Sequence, residues 1–278
     1  MITVSIITPV KNGVKYIEEC IQSVLAQGDS VEHILSDCLS TDGTVEILKK
    51  YQALYPDRVI YRTAKDSGVG DAWNWGIKHS RGEILGWLGH DDILLPDAIK
   101  TVTTFFRTFP ETMFVYGDTE IIDADGNVTG MYATKAFTYK QLLNDGIFMA
   151  LSSVFYRKSI FDKCGYHQPF GSDYAFYLKA GKYYDFNYLP EKILSQFRIH
   201  EMNNSKVDSF NTLSGIYKDS RKYGGNVFSV WGRSLLAIKV GELVSKSTLL
   251  RRLFGWAYPV ASKIIRRFVN YNTLKGNE

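Results

Sequence analysis

Four short runs of β-branched and apolar residues punctuate the first ninety positions: TVSIITPV (3–10), VEHILSD (31–37), RVIYRT (58–63) and EILGWLG (83–89). Amphipathic stretches lie between them. After Lys11-Asn12-Gly13, apolar side chains fall at Val14, Ile17, Ile21, Val24 and Leu25, one face of a helix of about four turns. STDGTVEILKKYQALY (40–55) and DAWNWGIKHS (71–80) repeat the pattern behind turn residues. Strands that alternate with helices in this way join by right-handed crossovers. The spacing therefore predicts an α/β fold with a mostly parallel central sheet covered by helices on both faces.

Beyond residue 110 the rhythm loosens. MFVYGDTEIIDADGNVTGMYA (113–133) reads as a hairpin about an Asp-Gly turn, and SSVFYRKSIFDKCG (152–165) as a strand leading into a short helix. SDYAFYLKAGK (172–182) is helical in period, and FNYLPEKILSQFRIH (186–200) reads as two short strands about a proline. A helical, basic and aromatic segment follows from about residue 209. The net charge of +4 hides this division: from Arg221 onward eleven Lys/Arg face two acidic residues, whereas the first 220 residues hold 22 basic and 27 acidic ones. The expected organisation is a body over 1–208, in halves 1–110 and 111–208, with a C-terminal extension over 209–278.

Three widely spaced cysteines lack zinc-ligand spacing and suit no disulfide framework, which favours a reducing, cytoplasmic setting. MITVSIITPV has no basic n-region or small-residue cleavage site and reads as a first strand. No uninterrupted apolar stretch reaches the roughly 18 residues of a spanning helix.

Ligands of parallel α/β sheets sit at the carboxyl ends of the strands, and the acidic punctuation falls there. Asp37 follows the second run, Asp66 the third, and the adjacent pair Asp91 and Asp92 the fourth. Any one of these also suits a cap or a turn. The pair is harder to account for, because two like charges beside an apolar strand are costly unless a positive group meets them. A hard divalent cation such as Mg²⁺ or Mn²⁺ would do so, commonly sharing a substrate diphosphate. Neither GxGxxG nor GxxxxGK[ST] is present, so the dinucleotide and P-loop fingerprints are missing.

SIITPVKNG, SDCLSTDGT, KDSGVGDAWNWGI, GEILGWLGHDD and GSDYAFYLKAG occur in an order and spacing that resembles the inverting family 2 glycosyltransferases of the GT-A fold, over about residues 3 to 200. The resemblance implies a nucleotide-diphosphate sugar donor and a glycan or lipid-linked acceptor. Asp92 would hold Mn²⁺ or Mg²⁺ against the diphosphate, and His200 would complete the metal shell. Asp91 would lie toward the ribose. Thr8 and Pro9 would line the base pocket, Asp37 would accept from base or ribose, and Asp66, Asp71 and Asn74 would stand beside the nucleotide sugar. Asp173 would take the proton of the acceptor hydroxyl. The chain departs from the pattern at Cys38-Leu39 after Asp37, at Ser67 in place of a frequent Lys, at Ser172 before Asp173, and at His90, where relatives carry other polar residues. Arg198 reads either as a phosphate contact or as a surface charge, and Trp73 and Trp75 as packing.

The segment LLRRLFGWAYPVASKIIRRFVNYNTLKG (249–276) interleaves Arg pairs with aromatics, as does a helix lying on the anionic inner face of a cell membrane. Packing on the body or in a homo-oligomer is the plain alternative. No nucleic-acid motif accompanies the charge, so no nucleic-acid partner is expected. Two other functions would need other residues, or fewer. A sugar-nucleotide-forming nucleotidyltransferase would need a basic Gly-rich loop after the first strand, where only Lys11 and Lys15 stand. A non-catalytic GT-A-like partner of a polysaccharide assembly complex would not need Asp91, Asp92 and Asp173.

Overall fold

The computed structural model describes residues 3–167, 173–201 and 209–246. The first half follows the alternation expected: β1 (Val4–Val10), α1 (Ile17–Leu25), β2 (Val31–Asp37), α2 (Thr44–Leu54), β3 (Val59–Thr63), α3 (Val69–His79) and β4 (Ile84–Trp87). Then come β5 (Ile93–Leu94), α4 (Ala98–Thr108), the hairpin of β6 (Phe114–Ile122) and β7 (Val128–Met131), and α5 (Tyr139–Asn144). The chain closes through β8 (Val154–Arg157), α6 (Ile160–Cys164), α7 (Asp173–Ala180), β9 (Asn187–Arg198), α8 (Ser209–Lys222) and α9 (Val230–Lys246).

All the strands share one sheet in the order β3-β2-β1-β4-β8-β6-β9-β5, with β7 on the side of β6. The β3-β2-β1-β4 half is parallel throughout. The other half is mixed: β8 runs antiparallel to both β4 and β6, and β9 is parallel to β6.

Alternation along β1 divides the core. Ile7 joins Trp73, Ile77, Leu85, Trp87 and Tyr156 on one face, and Ile6 joins Val24, Leu88, Ile99 and Phe106 on the other. Each fully buried aliphatic side chain of this kind stabilises by roughly 1.5–3 kcal/mol.

Two elements differ from expectation. The first helix begins at Ile17 and not near Val14, because Tyr16 and Ile17 both donate to the Gly13 carbonyl in a tight turn. A Cβ at Gly13 would come within 2.5 Å of the His90 ring, so only glycine admits that side chain. The two strands expected about Pro190 are one bulged strand: the β6–β9 register slips on either side of Asp118, where Glu191 turns to φ 61°. Pro190 lacks the N–H that a regular ladder would use, and the bulge absorbs that loss. The basic segment 249–276 lies outside the described residues.

Candidate active site

Parallel register brings the ends of three strands into line. Ile7 pairs with Trp87, Thr8 with Leu35, and Val10 with Asp37. Thr8, Pro9, Asp37 and the turn after β4 therefore share one edge of the sheet. Leu88 N–H still bonds to Ile7, after which the chain turns, with Asp92 N–H donating to Gly89 at 3.1 Å.

That turn aims both carboxylates at one space. A Cβ placed on Gly89 would lie 2.7 Å from Asp92 Oδ2 and 2.8 Å from Asp91 Oδ1. Glycine leaves the space open. Asp92 is buried, and burial, with the charge of Asp91 next, pushes its carboxyl well above the usual range. Arg198 N–H donates to Asp92 Oδ1 at 3.0 Å, and Oδ2 is the oxygen that faces Gly89.

Arg198 is neither a surface charge nor an open phosphate contact. Its side chain is 2% exposed. Nε donates to the Asp91 carbonyl at 2.9 Å, Nη2 to Glu19 Oε2 on α1 at 2.6 Å, and Nη1 reaches the carbonyls of Asp123 and Ala124 in the β6–β7 turn. The Tyr16 ring covers it at 4.7 Å and lies 4.9 Å from the His200 ring. One buried cation thus ties the acidic turn to α1 and to the hairpin. The only sequence signal for this role was a lone basic residue inside an apolar strand.

His200, expected to complete a metal shell, stands at the acidic pair: its Nε2 lies 2.8 Å from Asp91 Oδ2. His90 Nδ1 stands 3.9 Å from the other Asp91 oxygen, and burial lowers the His90 pKa. Among the described residues no group of three or more His, Cys, Asp or Glu side chains is arranged as a metal cage. The donor set still fits a hard cation, because two carboxylate oxygens converge on the space that Gly89 leaves. Mg²⁺-type sites commonly take one or two carboxylates from the protein and the rest from phosphate and water.

The remaining predicted residues shape the rim. The Asp37 carboxylate is buried and accepts the Ser40 N–H at 3.1 Å, which folds the loop after β2. Asn12 and Asp42 lace that loop to the one after β1 through Thr41 N–H and Val14 N–H. Thr8 turns its hydroxyl inward to His33 Nε2 at 2.8 Å, while Pro9 stays half-buried at the edge. Asp66 accepts from Gly68 N–H and Asp71 from Ser67 N–H, and together they build the start of α3. Asn74 clasps the backbone of His167 through both amide atoms, at 2.8 and 2.9 Å, and so is occupied as a tether between α3 and the segment after α6. Sequence reasoning passed over Arg62, whose Nε donates to Ser36 Oγ at 2.8 Å one residue from Asp37 and whose Nη2 is buried without a partner.

Asp173 opens α7, where its Oδ1 accepts the Tyr174 N–H at 2.9 Å. Burial raises its pKa and those of Tyr132, Tyr156 and Tyr177, to which the Asp173 charge adds a smaller push in the same direction. The Tyr156 ring meets Trp87, at the end of β4, at 5.5 Å, so aromatic packing links Asp173 to the strand that carries the acidic pair. A carboxylate raised in this way is a better proton acceptor than a solvated one.

The family described as glycosyl transferase family 2 matches residues 5–165. An uncharacterized glycosyltransferase of Rickettsia conorii is 29% identical over 221 residues, which cover 75% of this chain and 36% of that protein. A chondroitin synthase of Escherichia coli is 37% identical over 126 residues, 45% of this chain and 18% of that protein. The chain thus spans about a third or less of the length of these relatives. Among solved structures, Staphylococcus aureus TarS 1-349 in complex with UDP-GlcNAc superposes with a TM-score of 0.62 at 18% identity, over 98% of this chain and 82% of that one. The mannosyltransferase PcManGT of Pyrobaculum calidifontis, in complex with GDP-Man and Mn²⁺, gives 0.62 at 14% identity, over 94% and 73%.

Proposed function

The chain belongs to glycosyl transferase family 2 and has the GT-A fold, and on that premise we propose that it moves a sugar from a nucleotide-diphosphate donor to a hydroxyl of a glycan, with inversion at the anomeric carbon. The observation that carries this reading is the convergence of Asp91 Oδ1 and Asp92 Oδ2 on the space beside Gly89, at the strand edge that also holds Asp37. The nucleotide sugars in the TarS and PcManGT structures support a donor of that class, and the Mn²⁺ in the latter supports a metal requirement.

In this reading the base lies toward Thr8, Pro9 and Asp37, with Asp66 and Asp71 ordering the start of α3 beside it. Asp92 and Asp91 would hold Mn²⁺ or Mg²⁺, which when bound would offset the negative charge that builds on the departing diphosphate. His200 orients Asp91, and Arg198 holds the turn from behind. Asp173 accepts the proton of the acceptor hydroxyl as that oxygen attacks opposite the leaving group. A lipid-linked saccharide acceptor at a membrane inner face would suit surface-polysaccharide assembly.

The test is nucleotide release over a panel of UDP- and GDP-sugars, without metal and with Mn²⁺ or Mg²⁺. Metal-dependent release from one donor is the expected result. No release from any donor with either metal, at a concentration where the protein remains folded, would overturn the reading.

A further inference from the structure

The turn between α8 and α9 carries Phe228, which at 77% is the most exposed large apolar side chain among the described residues, with Val227 at 49% and Leu236 at 62% beside it. Three exposed apolar side chains gathered at one corner mark it as a contact surface more than a lone one would. This corner is held rigidly. Asn226 Oδ1 accepts the Phe228 N–H at 2.9 Å, Asn226 N–H donates to Asn144 on α5 at 2.6 Å, and Arg221 caps the Gly225 carbonyl. Ser220 anchors α8 to the Leu143 carbonyl at 2.7 Å. The tip is therefore presented and not collapsed onto the body.

Two clefts adjoin at the tip and share Val227, Phe228 and Arg233. One, of about 450 Å³, runs between α8 and α9, and its charged lining is Lys218, Arg233 and Lys239, with no carboxylate. The other, of about 910 Å³, lies against α5 and sets Lys140, Arg221 and Arg233 against the single carboxylate of Asp145. An apolar tip in a cationic ring matches a surface that is anionic outside and apolar within.

We propose that the α8–α9 corner docks the protein on an anionic lipid bilayer. Phe228 and Leu236 enter the headgroup boundary, and Lys218 and Arg233 face the lipid phosphates. A second copy is a poor occupant, since a symmetric contact would bring this cationic ring against itself. The chain beyond α9 is a poor one too: residues 247–278 hold six Lys/Arg against Glu278 alone. The projecting Phe228 favours a bilayer over a nucleic acid. α9 in turn packs on the catalytic helix: the Trp231 ring meets Tyr174 at 5.6 Å and its Nε1 donates to the Tyr174 hydroxyl at 3.1 Å, one residue from Asp173. Docking here would bring α7 to the side from which a lipid-linked acceptor arrives. The proposed function gives the surface its purpose, but vesicle binding is measured independently of transfer.

The experiment is co-sedimentation of the full chain with phosphatidylcholine vesicles, with and without phosphatidylglycerol. The wild type is expected to sediment with the anionic vesicles and to be released by salt. Phe228→Ser with Leu236→Ser, and separately Lys218→Glu with Arg233→Glu, should each weaken binding about tenfold or more. Both variants should keep the wild-type circular dichroism and the wild-type rate of donor hydrolysis without vesicles, which separates failure at this surface from failure of the transfer reading. Equal binding by wild type and variants would overturn the proposal, as would equal binding to neutral vesicles or no vesicle binding at all. Displacement by duplex DNA at matched phosphate concentration, or a dimer that the Phe228 variant abolishes, would also overturn it.

Discussion

Arg198 holds Asp92 through its backbone and Glu19 through its side chain: its N–H donates to Asp92 Oδ1 at 3.0 Å, while Nη2 reaches Glu19 Oε2 at 2.6 Å. The side chain is almost fully enclosed, yet its carboxylate partner is half exposed. The two ends of this contact should therefore respond differently to mutation.

Arg198→Ala removes a buried cation together with the N–H groups that meet the carbonyls of Asp91, Asp123 and Ala124. The expected loss is about 3 kcal/mol of stability, with weakened donor binding as the acidic turn loosens. Glu19→Gln keeps an acceptor on the exposed side and should lose less than about 1 kcal/mol. Urea unfolding of both variants measures the contrast, and equal losses would refute it.

Gly89→Ala places a methyl where Asp91 and Asp92 converge. The Gly89 backbone lies outside the left-handed region, so alanine can adopt its conformation and the fold should survive. Metal-dependent nucleotide release should fall by about two orders of magnitude or more, with the circular dichroism of the folded protein retained. Unaltered release would show that the space beside Gly89 is not used.

Asp173→Asn preserves shape and hydrogen bonding at the start of α7 but cannot take up a proton. Calorimetry should find donor and Mn²⁺ affinity within a few-fold of wild type, with turnover lowered about 10²–10⁴-fold. Wild-type turnover would remove Asp173 as the base.

His167 sits among Trp73, Trp87, Phe161 and Phe176 with both ring nitrogens unpartnered, and burial lowers its pKa to about 3. The folded-state pKa is depressed, so below about pH 6.5 the unfolded chain binds a proton that the folded one refuses. Stability is therefore lost as pH falls from about 6.5 toward 3, with a slope approaching about 1.4 kcal/mol per pH unit from this group. His33, buried and likewise lowered to about 3, adds a second such loss. His167→Phe should be neutral or stabilising at pH 7 and should flatten the acid limb by about one proton. Urea midpoints between pH 7 and 4 give the comparison.

β1 through β4 could be read from sequence because each is a compact apolar run closed by a turn residue, and such runs need only local periodicity. Asp91 and Asp92 stood out for a local reason as well, the electrostatic cost of adjacent like charges. α1 came out shorter than its apolar spacing suggested because Gly13 serves a ring on another loop, and no window along the helix contains His90. The Pro190 bulge was hidden because proline reads as a break, whereas the ladder partner on β6 bridges it. Arg198 was ambiguous for the same reason: its burial is decided by α1, the acidic turn and the β6–β7 hairpin together. The pairing of His200 with Asp91 depends on which way each of two adjacent carboxylates turns. Only the three-dimensional turn sets that.

The Arg198–Asp92 contact spans 106 positions, and Asp91 pairs with His200 across 109. A chain folding as it is synthesised would complete β1 to β4 well before β9 exists, and through that interval the acidic turn would have no cation behind it. Closure of so long a loop is slow relative to local structure. The acidic turn therefore depends on the end of the body for its order, and a truncated product that lacks β9 should keep β1 to β4 while its two carboxylates lose the partners that β9 and His200 supply.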